Sequence, residues 1–336
     1  MPIVELAEQF PTVSVVIPTA GGRSRLIDRA ISRLLADPAT AELIIVFDRP
    51  DAATEHVVQS YADRDTRVLS TCTIRYDRAG HRNGVQDDDH GQIARNEGVR
   101  LASSEIVLTL DDDVEPEAGM VSGHARHHAE RKDLVVLGYM PVIPLPPSRF
   151  TPQATVQIYA KNYERACARY RADPDAVLLG LWGGNCSVTR RSWLAAAALP
   201  RTSAGYHDDR DFGMRLREVG LAGIFDPTLR SWHWYRRSVW HASADAYNAG
   251  LGRAALYQAY PRLRELDKVP PPRRALRPLL WAARSGTAWA AMRFGLSGVA
   301  LAAAAVHWRP IEEAAVRAML RVGTARGLYQ GGERVL

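Results

Sequence analysis

Three adjacent carboxylates, Asp111, Asp112 and Asp113, follow a run of strand character at Ile106–Leu110. Three like charges side by side repel one another, so a folded chain rarely collects them without a counter-ion. Aspartate oxygens are hard ligands that suit Mg²⁺ or Mn²⁺, and such ions are commonly shared with a substrate phosphate. The alternative is an acidic turn that caps the next helix. The triplet is therefore a candidate site for a divalent metal and a phosphate group.

A second acidic group, His207-Asp208-Asp209-Arg210-Asp211, precedes a helical pattern formed by Phe212, Leu216 and Val219 and closed by Gly220. Aspartate at a helix N-terminus is stabilised by the helix dipole and the free backbone donors, so capping explains one of these carboxylates. Capping does not need two. The surplus carboxylate is a candidate general base.

The elements that must position these residues alternate between strand and helix. Residues 13–17 and 43–47 are apolar, largely β-branched runs that predict buried strands, the first followed by Pro18 and the second by Asp48. Such alternation predicts an α/β fold with a mostly parallel sheet flanked by helices. Because the carboxyl ends of parallel strands share one edge, Asp48 and the Asp111–Asp113 triplet are expected to converge there.

Further along the chain, residues 77–91 predict a long polar loop and residues 141–152 a proline-rich crossover. Residues 153–177 are helical in pattern, and strands are expected at 186–188 and 221–225. Gly183-Gly184-Asn185 is a turn at which the backbone can approach a ligand. Aromatic residues surround His233, and by itself that pattern favours a packed histidine over a metal ligand.

Composition limits the function classes. The 336 residues suffice for one large α/β domain or two smaller ones, and the net charge of +6 favours anionic ligands or an anionic membrane surface. No basic run is interleaved with stacking aromatics, so nucleic acid is not expected as a partner. Three widely spaced cysteines argue against a disulfide framework or a zinc site. With no secretory signal pattern at the N-terminus, they indicate a reducing, cytoplasmic location.

The motifs occur in an order that resembles family 2 glycosyltransferases, which are inverting, DXD-containing enzymes with the GT-A fold. The resemblance covers roughly residues 12–240. It rests on Val-Val-Ile-Pro-Thr at 15–19, Asp48, Ala94-Arg95-Asn96, Leu110-Asp111-Asp112-Asp113 and the stretch 208–216.

The resemblance implies roles for particular residues. Asp48 would bind the nucleotide base, the main chain at Pro18, Thr19 and Ala20 would line the base and ribose pocket, and Arg95 would lie near the diphosphate. Asp111 and Asp112 would contact the donor. The metal ion, Mn²⁺ or Mg²⁺, would be held by Asp113, Asp111 and His233. Gly184 and Asn185 would border the donor sugar and the acceptor. Asp209 would be the base, although Asp208 stands where glutamate is usual and could take that role.

The resemblance also implies a reaction, the metal-assisted transfer of a hexose from a nucleotide-diphosphate sugar, with UDP favoured, to an acceptor hydroxyl. The acceptor could be a glycan, a lipid carrier, a peptide or a small natural product. The expected domains are a GT-A domain at 1–245 and a helical C-terminal extension at 246–336. The first divides into a nucleotide-binding half at 1–115 and an acceptor half at 116–245.

Within the extension, residues 285–306 form a stretch of 22 residues with one charge, Arg293. That length could span a membrane, but an arginine at mid-span is costly. The alternatives are a helix that packs on the catalytic domain or on a second protomer, and an interfacial helix at the inner face of a membrane. The flanking arginines support the interfacial alternative, and they are Arg273, Arg274, Arg277, Arg284 and Arg309.

Three other functions remain open. A sugar-nucleotide nucleotidyltransferase would carry a glycine-rich basic loop after the first strand, and Gly21-Gly22-Arg23 matches in part. A metallo-phosphohydrolase would use His207-Asp208 with His124, His127 and His128, although these last three are interpreted as a solvated helix face. An inactive sugar-binding or scaffold protein could retain the same fold.

Overall fold

The computed structural model describes residues 11–72, 90–144, 146, 152–202, 204–267 and 277–333. Residues 77–89 of the predicted loop at 77–91 lie outside the described residues. Much of the predicted crossover at 141–152 also lies outside them, as do Arg273 and Arg274. The chain forms two compact units. The first unit comprises Met1–Val142, Arg165–Pro200 and Phe212–Trp234, and the second comprises Ile143–Glu164, Arg201–Asp211 and Tyr235–Leu336.

The first unit contains an eight-stranded mixed sheet in the order β3-β2-β1-β4-β7-β6-β8-β5. The first four strands in this order run parallel to one another, as does the pair β6 and β8, while β7 is antiparallel to both neighbours and β5 is antiparallel to β8. The strands are β1 (Val13–Thr19), β2 (Thr40–Phe47), β3 (Val68–Cys72), β4 (Ile106–Leu110), β5 (Val114–Pro116), β6 (Leu134–Tyr139), β7 (Asn185–Thr189) and β8 (Ala222–His233).

Helices connect and flank these strands, which confirms the predicted α/β class. The helices up to residue 218 are α1 (Ser24–Leu35), α2 (Ala52–Ala62), α3 (His90–Leu101), α4 (Met120–Glu130), α5 (Ala154–Ala172), α6 (Asp175–Leu179), α7 (Arg190–Ala197) and α8 (Asp208–Glu218), which follows a 3₁₀ turn at Gly205–His207. The later helices are α9 (Val239–Ala259), α10 (Arg262–Asp267), α11 (Arg277–Ala282), α12 (Gly286–Ala305) and α13 (Arg309–Gln330).

The parallel strands of the first unit are buried on both faces of the sheet, and their apolar side chains form the core. Val16, Ile44 and Val107 are fully buried and belong to one cluster that also includes Trp193 and Phe212. The rings of Trp193 and Phe212 lie 4.4 Å apart between centroids. The core thus fixes the edge of the sheet where β1, β2 and β4 end.

The second unit is helical and packs closely through small residues. A Cβ atom on Gly250 would lie 2.2 Å from the carbonyl oxygen of Thr324, and one on Gly327 would lie 2.1 Å from that of Tyr247. These glycines therefore allow the backbones of α9 and α13 to approach each other. The second unit also includes Ile143–Glu164 and Arg201–Asp211, which precede the predicted domain boundary at residue 245. That boundary between a catalytic domain and a C-terminal extension remains a prediction.

Candidate active site

The loop between β1 and α1 returns a basic side chain to the end of the sheet. Gly21 and Gly22 adopt φ angles of +79° and +74°, a region that L-residues with side chains rarely occupy. The N–H of Gly22 donates to the Asp51 carboxylate at 2.7 Å, which holds the turn. The guanidinium of Arg23 consequently contacts the carboxylates of Asp112 and Asp113. Arg23 was not among the predicted donor-site residues, and the Gly-Gly-Arg motif after the first strand was the signal for it.

Every carboxylate of the Asp111–Asp113 triplet is paired with a cation or a hydrogen-bond donor. Arg95 donates to Asp111 at 2.6 Å, and the Thr19 hydroxyl donates to Asp112 at 2.7 Å. Arg23 also bonds Asp112 and lies 3.1 Å from Asp113. The predicted need for counter-ions is thus met inside the protein. The name acidic cluster is used below for the triplet together with its partners Arg23, Arg95 and His233.

The position of His233 follows from strand pairing. β5 begins one residue after the triplet, and its antiparallel register with β8 places Val114 opposite His233. The N–H of Trp234 donates to the carbonyl oxygen of Asp113 at 2.8 Å, and the N–H of His233 donates to that of Pro141 at 3.0 Å. As a result, His233 Nε2 lies 3.3 Å from Asp113 Oδ1. The strand predicted at 221–225 continues to His233, so the histidine faces a carboxylate.

Burial and charge separate the pKa values of neighbouring carboxylates. Burial raises the pKa of Asp112 to about 6, although the positive charge of Arg23 opposes the shift. Burial also raises the pKa of Asp113, but its hydrogen bond to His233 and the charges of His233 and Arg23 outweigh this effect and leave that pKa below the ordinary value. Asp113 is therefore the member of this pair that is more readily ionised near neutral pH.

Gly184 and Asn185 lie beside the acidic cluster in different ways. The carbonyl oxygen of Gly184 accepts from the N–H of Asp111 at 3.1 Å, and a Cβ at position 184 would lie 2.4 Å from an Asp111 carboxylate oxygen. The Asn185 side chain is fully buried and bonds His124, Leu229 and Ser231. Asn185 as a whole residue is therefore not exposed to solvent, and its assignment to the donor site remains a prediction.

The predicted base-binding residues surround the ends of β1 and β2. The N–H of Asp48 donates to the carbonyl oxygen of Thr19 at 2.8 Å, which ties the two strand ends together. Asp48 is 6% exposed, Pro18 is half-buried and Ala20 is exposed. The expected convergence of Asp48 and the triplet toward one edge therefore occurs, with Thr19 bonded to both Asp48 and Asp112.

The geometry of Asp113 and His233 fits two ligands of one divalent ion. Adjacent ligands of an octahedral ion at 2.0–2.1 Å lie about 2.9 Å apart, close to the observed separation of Asp113 Oδ1 and His233 Nε2. Within the described residues, no group of three or more His, Cys, Asp or Glu side chains is placed to share one ion. Two protein ligands suit an ion whose other positions are filled by phosphate oxygens and water. The predicted third ligand, Asp111, is bonded to Arg95 and remains a prediction.

The second acidic group belongs to the second unit. Asp208, Asp209 and Asp211 lie in the first turn of α8, where the helix dipole stabilises negative charge. Asp211 is buried and accepts hydrogen bonds from the Thr202 N–H and the Tyr260 hydroxyl. Asp208 and Asp209 are half-buried, and a carboxylate oxygen of Asp208 lies 3.9 Å from the Arg201 guanidinium. Asp211 therefore has a structural role, and the base assignment rests with the other two.

The interpretation of His124, His127 and His128 as a solvated helix face is wrong for two of them. His124 and His128 are fully buried. Their ring nitrogens lie 2.7 and 2.8 Å from the hydroxyl oxygen of Ser187, and His124 also bonds Asn185. His127 is partly exposed and lies 2.8 Å from Asp226. The buried pair satisfies polar groups of β7 in the sheet interior.

Comparison with known proteins identifies the family. The model of glycosyl transferase family 2 matches residues 14–194, whereas curated protein sequences give no significant match. Among solved structures, the mannosyltransferase PcManGT from Pyrobaculum calidifontis, in complex with GDP-Man and Mn²⁺, is 15% identical with a TM-score of 0.55 over 96% of this chain and 89% of that one. This similarity supports the predicted GT-A fold.

Two further solved structures are less similar, with TM-scores below 0.5. Glucosyl-3-phosphoglycerate synthase from Mycobacterium tuberculosis is 16% identical, with a TM-score of 0.48 over 77% of this chain and 84% of that one. GalNAc-T7 is 15% identical, with a TM-score of 0.49 over 78% of this chain and 52% of that one. The family model alone covers more than half of the 336 residues, and the chain therefore belongs to glycosyl transferase family 2.

Proposed function

We propose that this chain transfers a hexose from a nucleotide-diphosphate sugar, with UDP as the favoured nucleotide, to an acceptor hydroxyl with inversion at the anomeric carbon. The observation that carries the proposal is the acidic cluster at the edge where β1 and β4 end, in which Asp113 contacts His233 and Arg23, and Asp111 contacts Arg95. Carboxylate, imidazole and guanidinium groups together suit a metal-bound diphosphate.

The donor-binding residues are assigned from their places around this edge. The Asp48 carboxylate would accept from an N–H of the base, and the main chain at Pro18, Thr19 and Ala20 would line the base and ribose pocket. Asp111 and Asp112 would hold the donor, Asp112 indirectly through Thr19 and Arg23. Arg95 would donate to the diphosphate, where a guanidinium can neutralise charge that develops on the leaving group.

Asp113 and His233 would hold a divalent metal ion, and Asp111 is the further candidate ligand. When bound, the ion supplies positive charge to the departing diphosphate. Asp113 is suited to this role because its carboxylate oxygen lies 3.3 Å from His233 Nε2, so that both groups can reach one ion. His233 is held in place by the main-chain bonds on either side of it.

Asp209 would act as the general base, with Asp208 as the alternative. A carboxylate in the first turn of α8 can accept the proton of the acceptor hydroxyl as that oxygen attacks the anomeric carbon. The attack breaks the bond between that carbon and the diphosphate, and no covalent sugar–enzyme intermediate is needed. We further propose a cytoplasmic location and an acceptor that is a glycan, a lipid carrier, a peptide or a small natural product.

Thermal unfolding with nucleotides tests the donor site. The purified chain is heated with UDP, GDP, TDP, CMP and their sugars, with and without Mn²⁺. A ligand at a hundredfold excess over its Kd stabilises the folded state by about 2.7 kcal/mol. We expect a Mn²⁺-dependent rise in the melting temperature with a uridine nucleotide, lost in Asp113→Ala and retained in Asp133→Ala, an exposed aspartate paired with Arg131.

The outcome separates the proposal from its alternatives. A rise in the melting temperature with GDP alone would indicate a guanosine donor, as in the Pyrobaculum complex, instead of a uridine donor. Equal nucleotide affinity in the wild type and Asp113→Ala would contradict the metal assignment. Release of pyrophosphate from a nucleoside triphosphate and a sugar phosphate would favour a nucleotidyltransferase. Binding without turnover would favour a scaffold, and NMR of the anomeric proton in a product would test inversion.

A further inference from the structure

The exposed side of helix α12 in the second unit carries no charge. Every residue that α12 exposes to solvent is Gly, Ala, Thr, Phe, Val or Leu, and Phe294, Val299 and Leu301 are 68%, 46% and 50% exposed. A surface helix of a globular protein ordinarily exposes polar and charged residues on that side. The name apolar face is used below for this exposed side of α12. An apolar surface that is continuous along a helix marks an interaction site.

The apolar face borders a cavity. An open cavity of about 630 Å³ lies between the beginning of α9 and α12, with Trp240, Phe294 and Leu301 among its lining residues and Arg236 and Arg237 at the same site. The rings of Trp240 and Phe294 lie 4.9 Å apart between centroids. The cavity is thus an extension of the apolar face that ends in positively charged groups.

The one charged residue of α12 is held away from the apolar face. The guanidinium of Arg293 lies 3.5 Å from the ring centroid of Trp240 and donates to the carbonyl oxygen of Trp240 at 2.9 Å. It also donates to the hydroxyl of Ser243. The arginine therefore serves the contact between α9 and α12, where its positive charge is shared with an aromatic ring.

Positive charge surrounds the apolar face. Residues 277–311 contain four arginines and no acidic residue, and Arg284 lies just before α12. Arg309, beyond the other end of α12, is paired with Glu312 at 2.8 Å. Arg236 adds a further positive charge at the cavity, where Arg237 is paired with Asp245. A second copy of the chain, docked face to face, would bring these arginines against their own equivalents. An anionic surface is the complementary partner.

Helix α12 is long and apolar enough to cross a membrane, and 28% of its most apolar window is buried within the protein. Its opposite side, however, packs on α13, where Ala300 clusters with Val316 and Met319. α13 carries charged residues at partly exposed positions, including Glu313 and Arg317. The two packed helices could not enter the hydrocarbon core together without burying those charges. The geometry suits a helix that lies in the plane of the membrane surface.

We propose that the apolar face and its cavity form a docking surface for an anionic lipid bilayer. Phe294, Val299 and Leu301 enter the boundary between headgroups and acyl chains, and the cavity beside Trp240 receives part of a lipid. Arg284 and Arg236 pair with lipid phosphates while their stems lie along the apolar surface. This docking does not depend on the transfer reaction proposed above.

Vesicle sedimentation tests the docking surface. The full chain is mixed with vesicles of phosphatidylcholine alone, and with vesicles of phosphatidylcholine and an equal amount of phosphatidylglycerol. We expect tighter binding to the anionic vesicles, weakened by added salt. The double variant Phe294→Ser/Leu301→Ser should lose binding more than tenfold, since burial of apolar side chains drives insertion. Arg284→Gln should lose about fivefold on anionic vesicles and change little on neutral ones.

A matched control comes from the first unit. Leu69 and Leu101 are 43% and 49% exposed there, so Leu69→Ser/Leu101→Ser removes similar exposed surface and should bind vesicles as the wild type does. Circular dichroism of all variants checks that they fold. Wild-type protein that stays in the supernatant, or equal binding by the Phe294→Ser/Leu301→Ser variant, would overturn the proposal. So would a wild-type dimer in solution that this variant converts to a monomer, because a second copy would then occupy the face.

Discussion

Apolar side chains are usually buried and charged side chains exposed. The acidic cluster of the first unit and the apolar face of the second unit depart from this rule in opposite directions. In the first unit, carboxylates are buried, as in Asp112, which is 6% exposed. In the second unit, large apolar groups are exposed, as in Phe294, which is 68% exposed. Buried charges require partners, which Arg23 and Thr19 supply to Asp112, whereas exposed apolar surface is stabilised only when something covers it. Both departures indicate function, but for ligands of opposite chemistry.

The largest effect is expected from the carboxylates at the start of α8. Asp209→Asn should reduce sugar transfer by about 10²–10⁴-fold, because the amide cannot accept the hydroxyl proton. Binding of nucleotide with Mn²⁺ should be unchanged, in contrast to Asp113→Ala. Steady-state rates and nucleotide titrations of the same preparations measure the two quantities.

Asp208→Asn is the matched control for that substitution, since the two carboxylates are adjacent and both half-buried. Its transfer rate should remain close to that of the wild type. If Asp208→Asn abolishes transfer while Asp209→Asn does not, the base is Asp208.

A second prediction concerns pH and the neutral buried groups of the first unit. Burial, together with the charges of Lys132 and His127, lowers the pKa of His128 to about 4. The unfolded chain binds a proton at this residue near pH 6.5, so stability is present above that pH and is lost as the pH falls toward 4. The contribution is about 1.4 kcal/mol per pH unit in that window.

The substitution His128→Gln isolates this contribution. The free energy of unfolding, measured in urea at several pH values, should fall less steeply for His128→Gln than for the wild type between about pH 4 and 6.5. Parallel curves would show that folding does not shift the pKa of His128.

A third prediction concerns the space beside Asp111. Gly184→Ala places a Cβ atom 2.4 Å from the Asp111 carboxylate, so this side chain must move and its bond to Arg95 is disturbed. Overpacking of this kind costs about 1–3 kcal/mol of unfolding free energy. Transfer should fall together with stability, as measured by rates and by urea unfolding. Unchanged values in both would contradict a close contact between Gly184 and Asp111.

The smallest effect is expected in the second unit at Gly295, which, unlike Gly184, has room for a larger side chain. A Cβ at this position of α12 meets no atom within 4 Å. Gly295→Ala should therefore raise the free energy of unfolding by about 0.4–1 kcal/mol, because alanine restricts the unfolded chain and favours the helix. Thermal unfolding checks the sign. A loss of stability would mean that α12 does not expose this position.

The strands that align the site were predictable because they are local patterns. The largely apolar runs at 13–17, 43–47 and 106–110 were predicted as strands, and the structure confirms them within β1, β2 and β4. β1 continues through Pro18 to Thr19, and β2 begins earlier than predicted, at Thr40. β5 was not predicted, since it has three residues, one of which is Pro116. β8 was predicted only as far as residue 225, because its later residues alternate with polar ones and pair with β5 at the end of the sheet.

The site residues that are adjacent in the sequence could be predicted. The contacts between residues that are far apart in the sequence could not. The Asp111–Asp113 triplet was identified from its residue types and Arg95 from the family resemblance, and the structure joins Arg95 to Asp111. The contact of Arg23 with Asp112 depends on two glycines with positive φ angles. The burial of His124 depends on Ser187 of β7, which is 63 positions away and cannot be inferred from a helical pattern.

The pairing of β5 with β8 has a consequence for the order in which the protein folds. Asp113 and His233 are far apart in sequence, so their contact has a large loop-closure cost and forms after the local structure around each residue. During synthesis, Asp113 leaves the ribosome well before β8 does. Arg23 precedes both in the chain and lies 3.1 Å from Asp113 in the folded protein. We therefore expect Arg23 to be the first cationic partner of Asp113 and His233 the second.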